Sequence, residues 1–451
     1  MKILMLPWLA HGHVNPFLEL AMKLADRSFH IYFCSTAVNL SSINGRIAGT
    51  YSKSIQPVEL ALPSSPELPP HRHTTNGLPS HLMTALKTAF EQAIPAFSSI
   101  LETLNPDLVI YDFNQPWVPK AASTLNIPAV LFLTFGAAFL SFTLHNTENP
   151  GVEFPFQEIH LHEYEKPGFQ NRLQATSNGV KDLDRFLSAL NQSSGIVLIK
   201  SSTEIEQKYL DYISVLAKKK IQAVGPLVQE PLISSSQGDS DAEIMEWLGK
   251  KPELSTVFVS FGSEYFLSRE EIEEIANGLE LSSVNFIWVV RFPSGEKTRV
   301  SEALPEGFLA RVGERGKIVQ GWAPQARILK HPSVGGFVSH CGWSSVMESI
   351  KFGVPIVAMP MHLDQPQNAR LVAEIGAGVE VRRDQAGRLR REEIARVLKE
   401  TVVDDQRQED GEVAGMIRTT VGELREKIMT REEEEMDDLA ELLTHLFAQG
   451  K

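Results

Sequence analysis

The stretch from Trp322 to Gln365 concentrates side chains that suit a charged, hydroxyl-rich ligand. Its pattern predicts a strand from Gly335 to Ser339 and a helix from Val346 to Phe352. Free backbone N–H groups and the helix dipole attract an anion, such as a diphosphate, to the start of such a helix. Four residues between the two elements suit that position: His340, Gly342, Ser344 and Ser345. Because the chain has 43 Lys plus Arg against 56 Asp plus Glu, this attraction must be local.

Further residues of the same stretch suit the other parts of a nucleotide sugar. Trp322 offers a flat face to a base, and Gln325 and Glu348 carry groups that can bind ribose hydroxyls. Asp364 and Gln365 are suited to the hydroxyls of a sugar. One Trp or one Asp–Gln pair alone is ordinary core or surface. The spacing of the whole set is therefore what indicates a nucleotide-sugar pocket.

His13 and Asp112 form the best candidate pair for proton transfer. A predicted strand ends at Leu6, and His13 follows in a loop at the carboxyl edge of the sheet, where open parallel sheets bind ligands. Asp112 ends the predicted strand that begins at Leu108, at the same edge. A neutral imidazole can accept a proton, and a carboxylate can orient it. On local sequence alone, His13 could equally be a structural loop histidine and Asp112 a helix N-cap.

Two parallel sheets are predicted to hold these residues. Short apolar strands alternate with helices, one of them from Pro16 to Arg27, and this rhythm indicates right-handed crossovers. The polar, unpatterned residues 234–241 favour a linker. We therefore expect one domain at 1–232, a second at 242–430, and a C-terminal helix at 431–451.

The stretch from Trp322 to Gln365 resembles, over its full length and without a gap, the C-terminal signature box of the plant family-1 UDP-glycosyltransferases. The resemblance covers most of the chain. It implies an α/β fold of GT-B architecture, with two Rossmann-like parallel-sheet domains facing each other across a cleft. The C-terminal helix would cross back to the N-terminal domain. The resemblance also implies UDP-glucose as the donor substrate, no cofactor and no required metal.

The resemblance gives each residue of the donor site a role. Trp322 would stack on uracil, and Ala323 would bond to the base through its backbone. Gln325 and Glu348 would hold the ribose. Gln at position 365 is typical of glucose users. The family pattern also places His340, Gly342, Trp343, Ser344 and Ser345 near the phosphates, and Asp364 and Thr134 at the sugar. The small residues Gly262 and Ser263 would let backbone and hydroxyl approach a phosphate from a second segment.

The resemblance also decides the roles left open for His13 and Asp112. The sequence from Gly12 to Pro16 matches the family's Gly-His-x-x-Pro motif, and Asp112 ahead of Trp117 matches its orienting acid. His13 would be the base of an inverting sugar transfer, and Asp112 would orient it. His11 does not match the base position and is interpreted as structural.

One position departs from the family pattern, because the family normally has Asn where this chain has Ser344. A Ser hydroxyl keeps one donor but lacks the reach and the second donor of an amide. We hypothesise that donor affinity or turnover is reduced and that Ser344→Asn raises it.

Composition narrows the class of protein further. With 451 residues, 43% of them hydrophobic, the chain can bury two or three sizeable cores. Cys34 and Cys341 are its only cysteines, so we predict no disulfide framework or zinc cluster and a reducing, cytoplasmic setting. The uncharged stretch from Ile127 to Leu144 is long enough for a membrane span, but Pro128 and Gly136 divide it into a strand, a turn and a helix start. We expect a monomer with no nucleic-acid partner and no integral membrane segment.

Three acidic patterns are interpreted as incidental. The segments 182–184 and 239–241 match the Asp-x-Asp pattern of metal-dependent transferases, but no apolar strand precedes either of them. Chance matches are expected among 56 acidic residues. The run from Glu432 to Glu435 on the last predicted helix is interpreted as a solvated face.

The expected acceptor is based on a likeness to one branch of the family. The segments 30–36, 115–117 and 261–266 are similar to the branch that extends sugar chains on existing glycosides, and most similar to cucurbit enzymes acting on mogroside triterpenoids. We expect glucosyl transfer from UDP-glucose to a sugar hydroxyl of a small-molecule triterpenoid glycoside. Three alternatives remain open. They are O-glucosylation of an aglycone such as a flavonoid or terpenoid, a UDP-sugar epimerase or hydrolase, and a catalytically silent UDP-sugar-binding protein.

Overall fold

A computed structural model describes residues 1–231, 239–263, 265–292, 299–402 and 409–449. The chain divides into two compact units. The first comprises Met1–Phe154, Phe169–Leu227 and Thr430–Lys451, and the second comprises Pro155–Gly168 and Val228–Met429. Residues 155–168, which the sequence analysis assigns to the first domain, thus group with the second unit. Residues 234–238 of the predicted linker and Glu264 of the branch motif lie outside the described residues.

The first unit is built on a parallel sheet of seven short strands. Their bounds are β1 Lys2–Leu6, β2 His30–Ser35, β3 Ile55–Glu59, β4 Leu108–Tyr111, β5 Ala129–Leu133, β8 Ile196–Ile199 and β9 Lys220–Ala223. They pair in the order β3-β2-β1-β4-β5-β8-β9. Most are near-continuous apolar runs, as expected for parallel strands buried on both faces. A separate antiparallel pair is formed by β6 Thr176–Ser177 and β7 Val180–Lys181.

Nine helices lie between residues 11 and 217 of the described chain. They are α1 His11–Asp26, α2 Ala37–Ile47, α3 Met83–Gln92, α4 Ile94–Leu104, α5 Val118–Ser123, α6 Ala137–Glu148, α7 Lys166–Gln174, α8 Asp182–Gln192 and α9 Thr203–Ala217. Short 3-10 turns lie at Pro70–Arg72 and Ser80–Leu82. The apolar face of α1 packs with strands β1, β2, β4 and β5 in one continuous core.

The second unit has a six-stranded parallel sheet. Its strands are β10 Thr256–Ser260, β11 Asn285–Val290, β12 Gly316–Gln320, β13 Val334–Ser339, β14 Ile356–Ala358 and β15 Gly378–Glu380. They pair in the order β12-β11-β10-β13-β14-β15. Successive residues of a strand point to opposite faces, so Val257 and Val259 belong to one core cluster while Phe258 belongs to another.

The remaining helices follow in the second half of the chain. They are α10 Asp239–Gly249, α11 Arg269–Ser282, α12 Val300–Ala303, α13 Phe308–Val312, α14 Gln325–Leu329, α15 Trp343–Lys351, α16 Gln365–Glu374, α17 Arg391–Val402 and α18 Glu409–Gln449, with a 3-10 turn at Gly313–Arg315. Helix α11 begins with a capping box, in which Ser268 and Glu271 satisfy each other's backbone N–H groups. Residues of α18 from Thr430 onward belong to the first unit, where Met436, Leu439 and Leu443 join its core.

The two sheets share a strand order that fixes where ligands bind. In each sheet the chain starts in the middle, builds toward one edge, and then returns to build toward the other. The reversal lies between β1 and β4 in the first sheet and between β10 and β13 in the second. In open α/β sheets a crevice forms at this reversal, outside the carboxyl ends of the strands. The residues that come directly after these four strands are therefore the expected ligand-binding residues.

Helix α1 begins earlier than the sequence predicts. It starts at His11 rather than Pro16, so His13 lies in the first turn of a helix and not in a loop. The N–H groups of His13 and Val14 both donate to Ala10 O, which closes this turn. Pro16 is tolerated inside the helix because its missing N–H removes a single backbone hydrogen bond close to the N-terminus.

The prediction of a solvated face for the acidic run holds for Glu433 and Glu434, whose side chains are 62% and 59% exposed, and is wrong for Glu432 and Glu435. Glu432 and Glu435 are 5% and 1% exposed. They lie on the inward face of α18, three residues apart and in line with the buried Met436. Glu435 accepts hydrogen bonds from the N–H and hydroxyl of Thr203, at the start of α9. A carboxylate at a helix N-terminus is stabilised by the helix dipole.

Candidate active site

His13 and Asp112 meet at the reversal of the first sheet. His13 follows β1 and Asp112 follows β4, which are neighbouring strands. The Nδ1 atom of His13 lies 2.7 Å from Oδ2 of Asp112. The Asp112 side chain is fully buried and that of His13 is 20% exposed. The same Oδ2 accepts the backbone N–H of Trp8 at 3.3 Å. The carboxylate thus accepts a hydrogen bond from Nδ1–H, which leaves the lone pair of a neutral His13 on Nε2.

Thr134 also belongs to this group. It follows β5, the neighbour of β4, and is buried. Its hydroxyl oxygen lies 3.1 Å from Nδ1 of His13. Three adjacent strands therefore each contribute one polar residue at their carboxyl ends. The contact of Thr134 with a donor sugar stays a prediction, whereas its contact with the imidazole is direct.

An aromatic side chain contacts the imidazole and belongs to a cluster of aromatic rings. The ring of Phe113 lies 5.8 Å from that of His13 and makes edge contacts with Phe135 and Phe186 at 5.6 and 6.0 Å. Phe113 directly follows Asp112, and Phe135 directly follows Thr134, so both rings come from the same strand ends. Sequence analysis missed these two residues, although their positions next to predicted site residues were the available signal. Partly buried aromatic faces beside a base are suited to holding an apolar or sugar-bearing small molecule.

The second sheet places His340 between two glycines at its own reversal. His340 follows β13, and Gly262 follows the neighbouring β10. A Cβ atom at Gly262 would lie 2.7 Å from Nε2 of His340, and so would one at Gly342. Gly262 also has φ +75°, which favours glycine. Burial lowers the pKa of His340 to about 4, and His362 adds to this effect. The imidazole is therefore uncharged at neutral pH.

The predicted phosphate-binding residues surround the start of α15. The N–H groups of Ser345 and Val346 donate to Gly342 O and close the first turn. Ser344 and Ser345 are partly buried in that turn, whereas the Trp343 side chain is only 3% exposed and packs into the interior. Cys341, just before the turn, adopts φ +62°, a backbone conformation that non-glycine residues rarely adopt. Strained backbone of this kind clusters at functional sites.

The predicted base and ribose residues lie after β12. Trp322 is 65% exposed, which leaves its indole face available, while Ala323 is 7% exposed. The side-chain amide of Gln325 donates to Glu348 Oε2 at 2.6 Å and to Ser345 Oγ at 3.2 Å. These bonds bring the start of α14 against α15. The two residues predicted to hold ribose are thus direct neighbours.

The predicted sugar-binding residues Asp364 and Gln365 stand at the start of α16, in the turn after β14. Gln365 is buried, and its Oε1 accepts the N–H groups of Met361 and His362 at 3.0 and 2.9 Å. Its carbonyl oxygen thus shapes the turn, and its amide nitrogen is the group with donors to offer. Leu363 adopts φ +59° next to Asp364. A second strained residue therefore adjoins a predicted donor residue.

A buried ion cluster holds the other side of α16. Arg370, 4% exposed, binds both carboxylate oxygens of Glu165 at 2.7 and 2.9 Å. Its other terminal nitrogen lies 2.8 Å from Glu380 Oε1. Burial raises the pKa of Glu380 to about 7, and it outweighs the opposing attraction of Arg370. Arg370 and Glu380 line a cavity of about 1030 Å³ together with His162 and Tyr164, among others.

Among the described residues, no cluster of three or more His, Cys, Asp or Glu side chains could hold a metal ion. Asp182, from the first Asp-x-Asp match, accepts hydrogen bonds from Lys87 and Ser177 at 2.9 Å each. Residues 239–241, which are the second Asp-x-Asp match, form the start of helix α10. Within the described residues, no helix combines the length and apolar character of a membrane span.

Comparison with known proteins places the chain in a family. Residues 1–229 match the family model "Glycosyltransferase, N-terminal domain", and residues 233–411 match "UDP-glucoronosyl and UDP-glucosyl transferase". Beta-D-glucosyl crocetin beta-1,6-glucosyltransferase of Gardenia jasminoides is 53% identical over 443 residues, 98% of this chain and 98% of that protein. Mogroside IIIx synthase of Siraitia grosvenorii is 53% identical over 439 residues, 97% of this chain and 91% of that protein.

A solved structure agrees on the fold. Glycyrrhiza uralensis UGT73P12, complexed with glycyrrhetinic acid 3-O-monoglucuronide, superposes with a TM-score of 0.83 at 24% identity, covering 100% of this chain and 96% of that one. The predicted fold class and the resemblance to family-1 UDP-glycosyltransferases are confirmed. The chain therefore belongs to the UDP-glycosyltransferase family, and it is an enzyme of the GT-B fold class with two Rossmann-like parallel-sheet domains.

Proposed function

We propose that this enzyme transfers glucose from UDP-glucose to a sugar hydroxyl of a small-molecule glycoside, with inversion at the anomeric carbon and without a metal ion. The observation that carries the proposal is the 2.7 Å hydrogen bond between His13 Nδ1 and Asp112 Oδ2. The bond joins a base and an orienting carboxylate at the sheet reversal, where ligands of such sheets bind.

The proposed reaction depends on the proton on Nδ1. Because Asp112 accepts a hydrogen bond from Nδ1–H and so keeps the proton on that nitrogen, Nε2 of His13 carries the lone pair that takes the proton of the acceptor hydroxyl. The acceptor oxygen then forms a bond to C1 of glucose while the bond from C1 to the diphosphate oxygen breaks. Attack opposite the leaving group inverts the anomeric centre, and UDP departs with the bonding electron pair. The negative charge of Asp112 stabilises the imidazolium that forms.

The diphosphate is proposed to lie at the start of α15, where the helix dipole and backbone N–H groups favour an anion. His340, which is uncharged at neutral pH, would add a hydrogen bond rather than a positive charge. The exposed indole of Trp322 is suited to stacking on the uracil, and the neighbouring Gln325 and Glu348 are suited to the ribose. These groups together would stabilise the leaving diphosphate without a metal, so that a chelator should leave the rate unchanged.

The acceptor class is supported by what the relatives' names state. The Gardenia relative is named as a glucosyltransferase acting on glucosyl crocetin, an acceptor that already carries glucose. The Siraitia relative, at the same 53% identity, is named for the mogroside that it makes. We accordingly propose a glycoside acceptor, with a triterpenoid glycoside of the mogroside type as the first compound to test. Phe113 beside His13, and Phe135 in contact with Phe113, offer apolar faces to such a molecule.

The proposal is tested by incubating the enzyme with UDP-glucose, mogrosides, glucosyl crocetin and the matching aglycones, and measuring product mass. We expect a gain of one hexose on the glycosides, lost in His13→Ala and retained in His11→Ala, a control in the same helical turn. A gain on aglycones alone would move the acceptor to the aglycone class. UDP release without any acceptor would favour the hydrolase or epimerase alternative, and UDP-glucose binding without turnover would favour a silent binding protein.

The departure at Ser344 gives a separate test of the donor site. Ser344 lies in the first turn of α15, so an Asn there would bring a second donor to the proposed phosphate position. We expect Ser344→Asn to lower the KM for UDP-glucose or to raise kcat. Steady-state kinetics with varied UDP-glucose measure both constants, and unchanged values for both would contradict the reasoning.

A further inference from the structure

A single buried side chain joins the two loops that hold the proposed donor site. Asn368 closes the first turn of α16, where its N–H donates to Asp364 O, and is fully buried. Its amide nitrogen donates to Cys341 O at 2.9 Å and to Asp364 Oδ2 at 2.8 Å. Cys341 belongs to the turn after β13, and Asp364 belongs to the turn after β14. One amide group therefore uses both of its N–H donors to bridge the two turns.

The chemistry of the partners requires an amide at this position. A backbone carbonyl and a carboxylate oxygen are both acceptors, so the nitrogen of Asn368, not its oxygen, must face them. An aspartate could not donate to either partner and would bring a second negative charge against Asp364. A shorter side chain could not span the two loops. Only a residue with two donors on one short side chain makes both bonds.

The bridge holds different groups in the two turns. Each turn also has a further anchor, because Cys341 N donates to Ser339 Oγ at 3.1 Å and Gln365 Oε1 accepts the N–H groups of Met361 and His362. At Cys341 the amide of Asn368 binds a backbone carbonyl, whereas at Asp364 it binds the carboxylate that is predicted to contact the sugar. Loss of the bridge should therefore disturb the sugar side of the donor site more than its phosphate side.

We infer that Asn368 is a positioning residue for the donor sugar, which fixes the carboxylate of Asp364 relative to the phosphate-binding turn. This inference rests on the proposed function and on the predicted role of Asp364, which is to bind hydroxyls of the hexose. The charge-assisted bond to Asp364 holds the carboxylate in one rotamer before the donor arrives. A preorganised acceptor loses less conformational freedom when the sugar hydroxyls bind.

The neighbouring Gln367 supplies a matched control. It is also fully buried on the same turn of α16, yet neither of its side-chain polar atoms has a hydrogen-bond partner among the described residues. Gln367→Ala and Asn368→Ala both remove a buried amide from one helix. Only the second removes the bridge. Asn368→Asp preserves the volume and therefore guards against an effect of a cavity.

The experiment measures dissociation constants of UDP and of UDP-glucose by titration calorimetry for the wild type and the three variants. The readout is the ratio of the two constants, because a general loss of stability would not change it selectively. We expect Asn368→Ala and Asn368→Asp to weaken UDP-glucose by about tenfold relative to UDP, as for the loss of one charge-assisted hydrogen bond. Gln367→Ala should leave the ratio at the wild-type value. UDP binding also verifies that each variant is folded.

Two results would overturn the inference. One is an unchanged ratio in both Asn368 variants, and the other is an equal change in Gln367→Ala. Failure of the proposed function can be told apart from failure of this inference. In that case the wild type would transfer no glucose in the mass assay, while the ratio of the two dissociation constants could still be measured. A wild type that does not bind UDP-glucose at all would remove both conclusions together.

Discussion

Replacement of Asp112 by Asn tests whether the carboxylate acts through His13. The two side chains differ by one atom, so the substitution keeps the volume of a fully buried group. The hydrogen bond to His13 can persist, because an amide oxygen can also accept a hydrogen bond from Nδ1–H. The negative charge that stabilises the imidazolium in the transition state is lost.

The size of the effect depends on which way the new amide points. Asp112 Oδ2 accepts two N–H donors, from His13 at 2.7 Å and from Trp8 at 3.3 Å. Both favour an oxygen at that position, so we expect the Asn oxygen to remain there and the tautomer of His13 to be kept. The loss is then that of the charge in a charge-assisted hydrogen bond, about 1.5–3 kcal/mol, or about a 10- to 150-fold fall in kcat/KM. A reversed amide would enforce the wrong tautomer and cost about 10⁴-fold, as it does in the serine protease triad.

The assay is a double-mutant cycle on the rate of glucose transfer. Asp112→Asn should lower the rate strongly in the wild-type background and leave it unchanged in His13→Ala, because an orienting residue has nothing left to orient. The KM for UDP-glucose should stay within about twofold, since uniform donor binding is not affected. Asp107→Asn is a suitable control, because Asp107 lies at the amino end of β4 and binds Lys2 N. Equal losses from Asp112→Asn in both backgrounds would refute the reasoning.

Three further predictions concern the neighbouring residues. Thr134→Val should lower kcat by about 2- to 10-fold through loss of the hydroxyl 3.1 Å from His13, and Thr134→Ser should restore it; activity unchanged in the Val variant would exclude a role for the contact. Gly262→Ala should raise the dissociation constant of UDP by at least about tenfold, because the new Cβ would lie 2.7 Å from Nε2 of His340 and the backbone has φ +75°; calorimetry measures the constant, and wild-type affinity would contradict the clash. Glu380 has a folded-state pKa of about 7 against an ordinary 4.5, so its protonated form favours folding, and its contribution is complete below pH 4.5 and lost as the pH rises through 7. Between pH 5 and pH 8 the unfolding free energy of the wild type should therefore fall by up to about 3 kcal/mol more than that of Glu380→Gln. Urea denaturation at each pH measures this difference, and parallel plots of unfolding free energy against pH for the two proteins would show that the pKa of Glu380 is not raised.

Much of the local structure could be predicted from the sequence. Buried parallel strands such as Leu108–Tyr111 and Thr256–Ser260 are apolar runs bounded by polar residues, and this pattern arises from the strand alone. The signature stretch has unusual residue types at fixed spacing, and its resemblance to one family led to the correct fold class. The start of α1 could not be predicted in this way. Pro16 is typical of a first helical turn, and only the observed bonds to Ala10 O show that the helix has already begun.

Long-range contacts are the part that local patterns do not specify. The run from Glu432 to Glu435 has the composition of a solvated face, but its partners Thr203 and Lys23 lie far away in the sequence. The same holds for Asn368, which lies outside the signature stretch and shows no unusual local feature. Its role depends on the side-by-side position of β13 and β14. Phe113 and Phe135 directly follow Asp112 and Thr134, the residues that the sequence analysis places at the ends of two strands, so their position was a usable signal.

The strand order explains why histidines take opposite parts in the two units. Both His13 and His340 stand where the chain order of a sheet reverses, and each has a close neighbour after the adjacent strand, Asp112 for His13 and Gly262 for His340. After β4 comes a buried carboxylate 2.7 Å from His13, which in the proposed mechanism would stabilise the imidazolium that forms when His13 takes a proton. After β10 comes Gly262, which brings no charge and lets the His340 ring pack closely, and burial keeps that ring neutral with a pKa of about 4. In the proposed mechanism, the residue on the adjacent strand, rather than the histidine itself, therefore decides between a base and an uncharged hydrogen-bonding group.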